Sequence, residues 1–193
     1  HTSDAADMPL DAVGSLPLDG MLVEVIDSVA DYAAVMRSLF DFDAIRALLA
    51  SGFRLRVDAM WAVGGPYAKA LLEDELGAPP GTVVNAEPRE DFGGLRPDPN
   101  PVNAADLIAH LYAADAPDMG AATDGDADRN MIVGRRFVVS PSDSLAVLAA
   151  YARLVPAYQA GLRGVARSIF TLEECEQAAS LTNELEEPAA RVI

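Results

Sequence analysis

Between Asp27 and Val139 the sequence switches back and forth between two hydrophobic periods, and no simple helical bundle or pure β-sandwich accommodates that pattern. Val29, Tyr32, Ala33, Met36 and Phe40 recur at spacings of three and four, which puts them on one face of a helix. Asp41 or Asp43 can cap a second helix that carries Ile45, Leu48 and Leu49, and Gly52 ends it. Phe53, Leu55 and Val57 then alternate with Arg54 and Arg56 at period two, as in a strand. The run Asp58–Tyr67 continues that strand into a Gly-rich turn and a helix with Pro66 in its first turn, extending through Leu71 and Leu72 to Gly77. Val83-Val84 is a short strand, Leu107, Ile108 and Leu111 mark another helix, and Met119–Ala122 is a strand of small residues. Met131–Val133 and Phe137–Val139 read as a hairpin pair. Strands alternating with helices indicate α/β architecture.

The flanks read differently. Residues 1–21 are acidic and broken by Pro9, Gly14, Pro17 and Gly20; with no sustained period they are expected to form an extended arm lying on something else. A strand over Leu22–Val25 opens the main domain, residues 22–139, and the stretch 87–102, rich in Pro and Gly, is expected as a loop. At Ser140 the pattern restarts. Pro141-Ser142-Asp143 opens a helix through Leu145, Leu148 and Tyr151, followed by an expected strand over Leu162–Ile169 and a helix over Thr171–Leu181. Residues 140–193 thus read as the start of a second α/β unit.

Composition narrows the function. With 51% hydrophobic residues in 193, a sizeable core can form. Fourteen basic residues against thirty acidic ones give a formal charge of -16, which disfavours nucleic acid and anionic membrane surfaces as partners. A single cysteine, Cys175, excludes an internal disulfide framework and a Cys-based zinc cluster, and two histidines leave little for a His metal site. No apolar stretch is long enough to span a membrane. The chain is expected to be soluble. Its first residue is His1, which is compatible with N-terminal processing, for example on entry into an organelle.

The chemistry concentrates in Thr123-Asp124-Gly125-Asp126-Ala127-Asp128-Arg129-Asn130. Carboxylates at alternate positions, separated by small residues, can turn toward one point, and an all-oxygen donor set suits Mg²⁺ or Ca²⁺. An EF-hand needs Gly at the sixth loop position and Glu at the twelfth; counted from Asp124 those positions hold Arg129 and Arg135, so that motif is excluded. The simpler alternative is a solvated acidic turn between two strands.

The same loop, Asp-Gly-Asp-Ala-Asp-Arg-Asn-Met-Ile, resembles the magnesium loop of the phosphoglucomutases in the α-D-phosphohexomutase superfamily. The resemblance continues, in order, through Val23–Ser28, Phe40-Asp41-Phe42, Asp58-Ala59-Met60, Gly65-Pro66-Tyr67, Leu76–Pro79, Asp91–Gly94, Pro97–Asn100, Pro141–Ser144 and Val165–Ser168. It implies a three-layer α/β domain with a mixed sheet: the tail of that family's first domain, the whole second and the start of the third. It implies Mg²⁺ on Asp124, Asp126 and Asp128, with Arg129 on the substrate side. It assigns no catalytic residue, because the phosphoserine loop, the sugar loop and the fourth domain are not in this sequence. Without the phosphoserine oxygen, Mg²⁺ is expected to bind weakly or not at all, leaving an acidic triad that repels itself, partly offset by Arg129. Where the family has His after Asp-Ala-Met, this chain has Trp61, and the sugar-contacting segment has become Glu186–Arg191.

Three functions follow as expectations. The first is a non-catalytic, mutase-derived domain serving as a structural or interaction subunit among other protein subunits, with no turnover by the chain alone. The alternative is a piece of an active phosphoglucomutase, interconverting glucose 1-phosphate and glucose 6-phosphate, with sugar phosphate bound only when other domains are supplied. A third is a regulatory module binding Mg²⁺ or sugar phosphate. Elsewhere the readings are structural. Gly64-Gly65-Pro66 makes a tight turn rather than an anion cradle, Trp61 is a buried core residue, Arg135-Arg136 is a solvated turn, and His110 plays no catalytic part. Cys175, among Glu173, Glu174 and Glu176, is not a reactive thiol.

Overall fold

The period of two reaches further toward the N-terminus than the sequence suggested. Gly14–Leu18 (β1) pairs antiparallel with Met21–Val25 (β2), with Leu16 opposite Val23 and Leu18 opposite Met21. The second half of the expected arm is therefore one side of a hairpin. Gly20, at φ +76, supplies the left-handed residue at its turn. Pro17 is tolerated because a two-stranded sheet has only edge strands.

The computed structural model describes residues 12–18 and 20–154. The strand expected over 162–169, the helix over 171–181, Cys175 and the segment Glu186–Arg191 lie outside the described residues, as do residues 1–11 of the arm. Of the expected second α/β unit, the described part is the helix Pro141–Tyr151 and the short turn Ala152–Leu154.

Two capped helices follow the hairpin. Asp27 accepts from the backbone N–H groups of Val29 and Ala30 at the start of α1 (Ser28–Leu39), and Asp41 caps α2 (Phe42–Ala50) through Ala44. Each cap satisfies amide groups that the first helical turn leaves without partners. The next strand, β3 (Leu55–Asp58), leads into α3 (Gly64–Lys69), which widens into a π-helical turn over Ala70–Glu75. Then come β4 (Val83–Val84), a 3₁₀ turn at Phe92–Gly94, α4 (Ala105–Tyr112), β5 (Met119–Thr123), β6 (Asn130–Gly134), β7 (Phe137–Val138) and α5 (Pro141–Tyr151).

Five of these strands form one mixed sheet in the order β4-β3-β5-β6-β7. The β4-β3-β5 part is parallel, and β5-β6-β7 is an antiparallel meander. Helices cover both faces, as the three-layer expectation requires. On one face Leu107 and Leu111 of α4 pack with Met60, Ala122, Met131 and Val133. On the other, Ala68 and Leu72 pack with Val57, Ala59 and Val83. The glycine of β5 now has a reason: a Cβ on Gly120 would stand 2.8 Å from Leu111 Cδ2, so the missing side chain lets α4 sit this close. Gly65 is held to the same standard, since a Cβ there would meet the Ala86 carbonyl oxygen at 2.0 Å. The Gly64-Gly65-Pro66 turn is thus explained by close helix–strand approach.

Trp61 departs from its expected place in the core. It is half-buried, with left-handed backbone (φ 57), and the Arg89 guanidinium lies over its ring, 3.5 Å from the centroid. Arg135 and Arg136 form the exposed turn between β6 and β7, as expected, and Arg135 also pairs with Asp118 there.

Candidate metal centre

The acidic loop joins the C-terminal end of β5 to β6, whose antiparallel register brings Thr123 opposite Asn130. The Asp124 backbone N–H donates to the Arg129 carbonyl at 3.2 Å, and the Ala127 N–H to the Asp124 carbonyl at 3.2 Å. Ala127 sits at φ 62, a left-handed position in which its Cβ is strained against the backbone. Its neighbour across space is Gly64, where a Cβ would come within 2.9 Å of the Ala127 Cβ. The start of α3 and the loop are therefore packed to backbone distance.

This turn brings together the residues that the sequence spacing singled out. Asp124, Asp126 and Asp128 each offer a ligand oxygen, and these atoms lie within 4.8 Å of one another. Asp124 is buried, while Asp126 and Asp128 are exposed. The cluster is a deep carboxylate with two others at the rim.

Arg129 is placed on the carboxylates. Its backbone N–H donates to Asp124 Oδ1 at 2.9 Å and its Nε to Oδ2 at 2.8 Å. Its Nη1 donates to Asp98 Oδ1 at 3.2 Å, and Asp128 stands 3.7 Å from Nε. Burial pushes the Asp124 carboxyl up, but the hydrogen bonds and charge of Arg129 outweigh it and hold the carboxyl below its ordinary range. For Asp128 the neighbouring Asp126 charge dominates, with desolvation and Asp124 adding to it, so its carboxyl is raised. The Asp124 hydrogen bond and charge raise Arg129 in turn. The expected self-repulsion of the triad is thus split: relieved at Asp124, retained between Asp126 and Asp128.

The donor set fits a hard divalent cation: oxygen ligands only, and room at the rim for water to complete six-fold coordination. One further observation agrees. The Thr123 hydroxyl, one residue before the first carboxylate, is buried without a hydrogen-bond partner. When bound, such a cation would neutralise and polarise phosphoryl oxygens. What the chain itself does is hold three carboxylates and one guanidinium on a tight turn.

The sequence reading missed the residues that support this turn. Asp98, in Pro97-Asp98-Pro99-Asn100, holds the Arg129 fork. The rings of Phe92 and Pro97 come within 3.7 Å of the position a Cβ would take on Gly125. The one available signal was that the loop 87–102 falls in sequence between two parallel strands, whose ends lie on the same side of the sheet. His110 lies apart, with its Nδ1 2.8 Å from the Asp106 carbonyl, lining a cavity of about 140 Å³ with Arg56, Asp58 and Asn85.

With this geometry in view, the comparisons agree with one another. Residues 20–137 match the family model of the phosphoglucomutase/phosphomannomutase α/β/α domain II. A phosphoglucomutase of Rhizobium radiobacter is 55% identical over 177 residues, which is 92% of this chain and 33% of that protein. A chloroplastic phosphoglucomutase of Marchantia polymorpha is 49% identical over 88% of this chain and 26% of its own length. Among solved structures, the open form of parafusin, an exocytosis-sensitive phosphoprotein and phosphoglucomutase from Paramecium, superposes with a TM-score of 0.71 at 44% identity. That match covers 77% of this chain and 28% of the parafusin chain. The chain therefore spans about a third or less of the relatives it matches. Among the described residues, no helix is long and apolar enough to cross a membrane.

Proposed function

Because this chain belongs to the phosphoglucomutase/phosphomannomutase family through its second α/β/α domain, we propose that it is the magnesium-loop part of a phosphoglucomutase. In this reading the whole protein interconverts glucose 1-phosphate and glucose 6-phosphate. The chain contributes Asp124, Asp126 and Asp128 for Mg²⁺, and Arg129 as the charged group beside the transferring phosphoryl. The observation that carries it is the convergence of three ligand oxygens within 4.8 Å on a domain that matches the family model over residues 20–137.

The relatives favour this reading over a non-catalytic subunit. The missing phosphoserine and sugar loops, which motivated the non-catalytic reading, have no weight in a chain that spans 33% of its Rhizobium radiobacter relative. Phosphoryl transfer depends on positioning and charge neutralisation in a closed site, and that site is assembled from several domains. The partners proposed for this chain are therefore the other domains of a mutase, which would supply the remaining Mg²⁺ ligand and the sugar contacts.

A chimera tests it. The matching segment of the Rhizobium radiobacter phosphoglucomutase is replaced by this chain, and glucose 1-phosphate turnover is measured with and without Asp126→Ala. Turnover that depends on Asp126 supports the proposal. A folded chimera that binds Mg²⁺ yet gives no turnover returns the non-catalytic subunit to first place.

A further inference from the structure

We propose that Trp61 and Arg89 are positioning residues for the acidic loop, acting through the segment between Arg89 and Asp98; the inference rests on the metal-loop reading above. The argument begins at the end of β3. Met60 and Trp61 are consecutive non-glycine residues in the left-handed region, at φ 52 and 57. Such a pair is strained and persists only where its surroundings over-determine it. Here they do. The buried Asp58 takes hydrogen bonds from Met60 N–H and Asn85 Nδ2, both at 2.8 Å, on one oxygen, and Trp61 N–H donates to the Asn85 carbonyl at 2.9 Å.

Held this way, Trp61 turns its ring out of the core and toward the loop that follows β4. Arg89 engages it twice. Its backbone N–H donates to the Trp61 carbonyl at 2.9 Å, and its guanidinium lies over the indole, 3.5 Å from the ring centroid. That is close stacking for a cation–π pair. Further along, Gly93 passes the indole edge so closely that a Cβ would stand 2.7 Å from Trp61 Cδ1. The segment is thus pinned to Trp61 at both Arg89 and Gly93.

From there the contacts run directly to the loop. Phe92, itself at φ 52, and Pro97 set their rings against Gly125, and Asp98 holds the Nη1 of Arg129. The Arg129 guanidinium therefore donates hydrogen bonds to two carboxylates, Asp124 inside the acidic loop and Asp98 on the pinned segment. If the pin loosens, Asp98 and Phe92 move together, and the orientation of Arg129 over Asp124 loosens with them. Trp61 filling a surface groove for general stability would give no such coupling.

The experiment uses the chain without metal first. The Arg129 Nε–H is followed by hydrogen exchange in NMR for the native chain, Arg89→Ala, Arg89→Lys and Trp61→Phe, with backbone amides of β5 as the stability control. Arg89→Ala is expected to speed Arg129 Nε–H exchange about two- to fivefold, the fold-change of an exposed cation–π contact. The β5 amides should keep their protection, and Arg89→Lys, which restores a cation over the ring, should recover part of the loss. Mg²⁺ is then titrated while emission is read from Trp61, the single tryptophan in the chain. The Arg89→Ala midpoint is expected to weaken by a similar factor. Exchange and midpoint both at the native value, or loss spread equally over the β5 amides, overturns the proposal. Absence of Mg²⁺ binding by the native chain counts instead against the metal-loop reading, and the metal-free exchange still decides the positioning claim.

Discussion

Asp124 receives hydrogen bonds on both carboxylate oxygens from a single residue, Arg129: the backbone N–H on Oδ1 at 2.9 Å and Nε on Oδ2 at 2.8 Å. Two residues five apart in sequence thereby close the acidic turn on itself. The loop carries its own counter-charge at its deepest carboxylate, and its unrelieved repulsion sits at the rim between Asp126 and Asp128.

Arg129→Ala should lower the unfolding midpoint only slightly, by less than the loss of a buried charge-assisted hydrogen bond would, because the Arg129 side chain is 65% exposed and solvent screens it. The backbone N–H bond to Oδ1 survives the substitution, which limits the loss. Urea unfolding of both chains measures it; a loss as large as that from breaking a buried ion pair means that Asp124 depends on the guanidinium far more than its exposure allows.

The Asp124 carboxyl is depressed in the folded chain, so its contribution to stability is fully present above the ordinary aspartate value of about 3.9 and is lost as pH falls through the lower folded value. Asp128 has the opposite sign: its raised carboxyl costs stability once ionised, and that cost disappears on acidification. Stability measured against pH should therefore show Asp124→Asn and the native chain converging below pH ~4, while Asp128→Asn gains most above it.

Asp126→Ala and Asp128→Ala should each lower Mg²⁺ affinity about tenfold or more, since each removes one anionic ligand from a site open to water. Calorimetric titration reads this directly. Equal affinities in the native and Asp126→Ala chains would leave the cluster as a solvated acidic turn.

Gly65→Ala should cost at least ~2 kcal/mol, because a Cβ placed 2.0 Å from the Ala86 carbonyl oxygen forces helix α3 away from the β4 end of the sheet. Gly14→Ala is the control: nothing lies within 4 Å of its Cβ position, so its effect should stay within about 0.5 kcal/mol. Thermal unfolding of the two variants side by side separates close packing from a generic loss of glycine.

Much of this domain was legible along the chain because the signals are local. The period-two run around Leu55 and Val57 became β3, Asp27 and Asp41 became helix caps, and the alternate aspartates met on one turn. Each outcome depends on side chains within a few residues of one another, where helix and strand periods act directly. The strand at Gly14–Leu18 was not legible for a related reason. Leu16 and Leu18 carry too short an alternation to announce a strand, and their pairing with Val23 and Met21 depends on a turn at Gly20.

By itself, then, the sequence determined the α/β class, the order of most elements and the acidic loop with its three oxygen donors. Only the tertiary structure decided that Trp61 stands half out of the core beneath Arg89, that Phe92 and Pro97 back Gly125, and that Asp98 reaches Arg129 across thirty-one positions. Periodicity reports which face of an element avoids water. It carries no information about which distant loop will be folded against that face, because that choice is made by packing and by charges that meet only once the sheet has formed.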